Sequence, residues 1–104
     1  MNLKPAMWSC GALAVLAGSA VAQGVDRQAR VWAASCAACH GTDGRAQGAM
    51  PALASRDAEQ LLRALAELKA GQRPAATVMP QHVKGYTDDE LRRIVQVFAA
   101  VPAR

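Results

Sequence analysis

The sequence predicts an all-α domain of three main helices and two long loops. Apolar residues recur at helical spacing in three separate windows, and each window opens on a capping residue and closes on glycine or proline. No stretch alternates apolar and polar residues long enough for a strand. Composition adds a constraint. Of 54 apolar residues, 15 fall in the first 22 positions, and the 82 residues that follow hold only three aromatics, Trp32, Tyr86 and Phe98. So small a domain buries too little surface to be robust on side chains alone, so a staple or bound group is expected in its core.

Met1–Ala22 reads as a cleaved export signal. Lys4 and the amino terminus form a short positive region, Ala6–Ala17 is apolar and uncharged, and Ala20-Val21-Ala22 gives the small-x-small pattern for cleavage before Gln23. This leaves 23–104 as a single domain and predicts a periplasmic location. The competing reading is a retained membrane anchor. Pro5–Ala22 is 18 residues interrupted by Ser9, Gly11, Gly18 and Ser19, at the short end of a span. No stable membrane insertion is therefore expected after cleavage. Cys10 lies inside the apolar stretch and leaves with it, so the mature chain keeps Cys36 and Cys39, which do not make a disulfide scaffold. The 12 basic residues outnumber the 8 acidic ones but are dispersed, with no interleaved aromatics, which argues against nucleic-acid binding.

The first helix is predicted from about Asp26 to Cys39. Asp26 is its N-cap, Ala29, Ala33 and Cys36 share a face with Trp32 beside them, and Gly41 stops it. Gly41–Ser55 then reads as a loop with Gly44, Gly48 and Pro51. The second helix opens at Asp57, with Gln60 completing a capping-box variant. It carries Leu61, Leu65 and Leu68 on one face and ends at Gly71, with Pro74 beyond.

Gln72–Tyr86 forms the second loop, where Pro80 is expected to keep the backbone out of a helix. Thr87-Asp88-Asp89-Glu90 is a capping box that starts the third helix, and its acids suit the positive end of the helix dipole. Leu91, Ile94, Val95 and Phe98 form the stripe, and Pro102 closes it. Loops this long in so small a domain need something to pack on.

Cys36-Ala37-Ala38-Cys39-His40 is the attachment signature of a c-type haem. At a helix end, residues three and four apart lie on one face, so both thiols can bond the haem vinyl groups while His40 projects toward the iron. Two rivals are weaker. A structural zinc site needs four ligands, and beyond Cys36, Cys39 and His40 only His82 remains, with no second close pair. A thioredoxin-like dithiol needs a βαβ context that is missing here.

The iron needs a second axial ligand or an open position. Met79 leads, while Met50 sits only ten residues beyond His40 and reaches the opposite haem face less easily. His82 would give a bis-His site, and its plain role is an exposed side chain. One covalent haem c with His40 and Met79 as metal ligands leaves nowhere for a substrate to bind. The function expected is then outer-sphere transfer of one electron by a carrier, not an enzyme. The alternative is a haem enzyme or gas-binding protein with an open or labile sixth position. Docking is expected around Ala37, Ala38 and the Met79 loop. Arg45, Arg73 and Lys84 are candidates to meet haem propionates or a partner, or are simply solvated.

Across Val25–Ala100 the chain resembles the class I monohaem cytochromes c. The resemblance rests on Cys36-Ala37-Ala38-Cys39-His40-Gly41, on Gly48-Ala49-Met50-Pro51-Ala52-Leu53, and on Met79 just before a capped final helix. It implies that the Pro51 carbonyl orients the His40 ring, and that Ala29 or Ala33 crosses Ile94, Val95 or Phe98. More narrowly, Ala76-Thr77-Val78-Met79 and Lys84-Gly85-Tyr86-Thr87-Asp88-Asp89-Glu90-Leu91 are similar to cytochrome subunits of flavocytochrome c sulfide dehydrogenases. That similarity implies redox partners, among them a flavoprotein dehydrogenase subunit.

Overall fold

Four α-helices and one 3₁₀ turn make up the regular structure of residues 25–104, which the computed structural model describes. The expected export signal, Met1–Ala22, lies outside them.

Helix α1, Arg27–His40, starts where the Asp26 carboxylate accepts the Ala29 N–H at 2.9 Å. It stops at Gly41, whose φ is +83° and where a Cβ would lie 2.8 Å from the Ala46 backbone nitrogen. Only glycine fits that turn. A 3₁₀ turn, Thr42–Gly44, follows. Helix α2, Ala58–Lys69, is capped by Asp57, which accepts the Gln60 N–H at 2.9 Å. It closes with paired bonds from Gly71 N–H to the Leu68 carbonyl and from Gln72 N–H to the Glu67 carbonyl, a Schellman end.

Helix α3, Met79–Val83, corrects the expectation for Pro80. Pro80 lies in the first turn, where its missing N–H would have no intrahelical partner and its fixed φ suits a helix start. The second loop is therefore shorter than its composition suggested. Helix α4, Asp88–Ala99, begins with both arms of its capping box in place. Thr87 Oγ1 accepts the Glu90 N–H at 3.2 Å, and the Glu90 carboxylate accepts the Thr87 N–H at 2.8 Å.

Helices α1 and α4 lie in contact, with Ala29 and Ala33 on one and Ile94, Val95 and Phe98 on the other all buried. Two alanines let the backbones approach closely. Leu61 and Leu68 of α2 and Val83 of α3 join the same cluster. Each fully buried side chain of the Leu, Ile or Phe kind contributes roughly 1.5–3 kcal/mol.

The first loop is tied to this core. A Cβ on Gly44 would lie 2.6 Å from the Phe98 ring, and the Gly44 carbonyl accepts the Leu53 and Ala54 N–H groups at 2.7 and 3.1 Å. Ser55 N–H donates to the Phe98 carbonyl at 3.0 Å. These bonds hold the chain on both sides of Pro51.

Arg93 of α4 donates to both oxygens of Asp26 at 2.7 and 2.9 Å, and its guanidinium lies 4.7 Å from the Trp32 ring centroid. Asp26 thus caps one helix and anchors another. Its pKa is held down at about 2, first by the Arg93 bonds and then by the Ala29 N–H. Lys69 links α2 to the start of α4, donating to the Tyr86 carbonyl at 2.9 Å and to Asp88 at 3.0 Å.

Candidate cofactor site

The last turn of α1 carries Cys36, Cys39 and His40 at helical spacing, and the three line one cavity of about 590 Å³. His40 is buried. Its Nδ1 lies 2.6 Å from the Pro51 carbonyl oxygen. A carbonyl can only accept, so Nδ1 carries the proton and Nε2 is left with its lone pair. Nε2, on the other side of the ring from Pro51, is buried without a hydrogen-bond partner. A buried polar atom in that state costs about 1–3 kcal/mol. It is also the form of imidazole that ligates metals.

A second, inner cavity of about 260 Å³ shares Cys36, His40, Pro51 and Met79 with the first. It is lined otherwise by Leu61, Leu68, Phe98 and other largely apolar groups. Together they form an apolar slot reaching from the α1–α4 core to the surface. The slot, the unpaired Nε2 and two neighbouring thiols fit a flat, largely apolar, metal-bearing group.

The thiols are not paired with each other, Cys36 half-buried and Cys39 exposed. Burial pushes the Cys36 thiol pKa up. A redox dithiol needs the opposite shift, which disfavours that chemistry here. Among the described residues, no three His, Cys, Asp or Glu side chains are grouped to hold a metal ion, so a four-ligand zinc site is not assembled.

Met79 is half-buried at the start of α3 and lines both cavities. Met50 and His82 line only the outer one. Met50 is 40 % exposed and His82 is exposed. Cys36, Cys39, His40, Pro51 and Met79 are thus brought together by three separate parts of the chain.

The three cations singled out in the sequence stand in different surroundings. Arg45 donates to the Pro102 carbonyl, and Lys84 lines neither cavity. Arg73 lines the inner cavity while its Nε donates to Glu67 at 2.7 Å. Arg56, which sequence reasoning missed, lines the same cavity. Nothing local marks it, although it is the one cation between Pro51 and the Asp57 cap. Also missed was the Ser35–Tyr86 hydroxyl pair, 2.8 Å apart, whose residues both line the outer cavity.

Comparison with known proteins places this geometry. The family model described as cytochrome c oxidase, cbb3-type, subunit III matches residues 23–96. The cytochrome subunit of sulfide dehydrogenase from Chlorobaculum tepidum is 42% identical over 64 residues, which cover 62% of this chain and 57% of that protein. The matched region thus spans little more than half the length of that relative.

Proposed function

From the premise that this chain belongs to the cytochrome c family of the cbb3-type oxidase subunit III, as a class I monohaem electron carrier, we propose that it carries one electron at a time in the periplasm. Transfer is outer-sphere, through one haem c held covalently. The observation that carries this reading is the buried, unpartnered Nε2 of His40 at the wall of an apolar slot.

A bound haem would supply a one-electron iron couple. Cys36 and Cys39 would hold it through thioethers, and His40 Nε2 and the Met79 sulfur would ligate its iron. The Pro51 carbonyl fixes the His40 tautomer and ring direction. The apolar walls exclude water, and a neutral thioether favours the reduced state relative to a second imidazole. With His40 and Met79 both supplying donors, no position on the iron would remain for a substrate. Arg56 and Arg73 line the inner cavity and would meet the haem's acidic side chains.

Among the described residues, no Lys, Arg, Asp or Glu lines the outer cavity. Ala38 is exposed, and Val78 and Met50 are 61 % and 40 % exposed. This is the surface on which a redox partner docks. The similarity to a cytochrome subunit of sulfide dehydrogenase supports a flavoprotein dehydrogenase as that partner. The export signal supports the periplasm, and the family match begins at residue 23, where the signal is expected to end. No helix among the described residues is long and apolar enough to cross a membrane.

The test is the Met79→Ala variant, purified with haem from cells competent in haem ligation. Its reduction potential falls below that of the parent protein, and an unchanged potential would remove Met79 from the iron.

A further inference from the structure

We propose that His82 is a reserve donor of this site, and that its imidazole binds the haem iron when the Met79 sulfur is lost. The inference rests on the His40 and Met79 reading above. His82 lines the same outer cavity as Met79 and His40. It stands three residues after Met79 on α3, and residues so spaced share a helix face.

The helix that carries them is only five residues long. Val78 gives it no side-chain cap, and beside the 3.0 Å bond from Gln81 N–H to the Val78 carbonyl, those from His82 N–H to the Val78 carbonyl and from Lys84 N–H to the Pro80 carbonyl are longer, at 3.3 and 3.4 Å. A helix of five residues has few such bonds to give up when it shifts. Val83, the next residue, is buried in the core cluster and keeps the segment at the site as it shifts.

A neutral imidazole is the commonest protein donor to metals. Met50 is the poorer substitute, because the bond between the Pro51 carbonyl and His40 Nδ1 holds that stretch of chain behind the proximal ring. In the exchange an iron–sulfur bond gives way to an iron–nitrogen bond with no change in oxidation state. His82 enters as the neutral ring, any second ring proton leaving to solvent.

The experiment compares haem-loaded Met79→Ala, Met79→Ala/His82→Ala and His82→Ala by optical and electron paramagnetic resonance spectra and by carbon monoxide binding to the ferrous form. Met79→Ala is expected to stay low-spin with two imidazole ligands. The double variant turns high-spin and binds carbon monoxide at least tenfold faster, and His82→Ala matches the parent. A Met79→Ala protein already high-spin, or low-spin and unmoved by removing His82, would overturn the proposal. Failure of the underlying reading looks different: Met79→Ala would keep the parent's sulfur-ligated spectrum, or His82→Ala alone would lose the low-spin state, and the proposal falls with it. Met79→Leu, closer in volume, carries the same comparison where alanine prevents folding.

Discussion

The Nδ1 atom of His40 lies 2.6 Å from the carbonyl oxygen of Pro51, eleven residues further along the chain. That one bond settles the tautomer of a buried ring and leaves Nε2 free to ligate. It depends on the first loop being pinned to α4, since the bonds around Gly44, Leu53 and Ser55 fix where Pro51 stands.

Gly44→Ala tests that dependence. The new methyl meets the Phe98 ring at 2.6 Å on a backbone with φ of +72°. The expected loss of stability is about 2–4 kcal/mol, from left-handed strain and overpacking together. A denaturant titration of the haem-loaded protein reads it as a lower midpoint with an unchanged slope.

Pro51→Gly keeps the carbonyl but frees the backbone that aims it. Weakening of an outer partner of this kind typically costs on the order of 10–100-fold in ligand affinity or activity. The variant should still bind haem, yet exchange its axial ligands with added imidazole at least tenfold more readily, as followed by stopped-flow absorbance.

The two thiols are separable. Cys36→Ala and Cys39→Ala each leave one thioether, so haem in either variant should resist acid-acetone extraction. In the double variant the extract should carry all the colour. Extractable haem in the parent protein would contradict covalent attachment.

Arg56→Ala and Arg73→Ala each remove a positive charge that disfavours ferric iron. The reduction potential should fall by on the order of 30–60 mV in each, or roughly 0.7–1.4 kcal/mol for one electron. Voltammetry checks this, with Lys84→Ala, whose side chain lines neither cavity, as the control that should barely move.

Asp26 gives a pH dependence with a definite sign. Its pKa is lowered from 3.8 to about 2 in the folded chain, so the native state favours the carboxylate. The resulting stability is fully present above the unfolded value and is lost as pH falls through about 2. Asp26→Asn should lower the thermal midpoint by a constant amount above pH 4, and the gap to the parent should close between pH 4 and pH 2.

What could be read from the sequence was mostly local. Asp26, Asp57 and Thr87 each accept the N–H group three residues on, and each caps its helix where its position indicated. The stripe Leu91, Ile94, Val95 and Phe98 is buried as its spacing implied. Helix α3 is hard to read locally because proline restrains its predecessor yet is tolerated in a first turn. The contacts that shape the site are long-range. Arg93 meets Asp26 across 67 positions, Tyr86 meets Ser35 across 51, and Gly44 is required by Phe98 as well as by its own turn. No periodicity announces such pairs, and Arg56 was invisible for the same reason.

The central claim is that His40 ligates a covalently held haem whose other axial donor is the Met79 sulfur. The most direct measurement is the absorption spectrum of the exported, haem-loaded protein in both oxidation states, followed by acid-acetone extraction. A sharp low-spin α-band on reduction, a sulfur-to-iron charge-transfer band on oxidation and haem that stays with the protein are the predicted result. A folded but colourless protein, or one whose haem is high-spin and extractable, would contradict it.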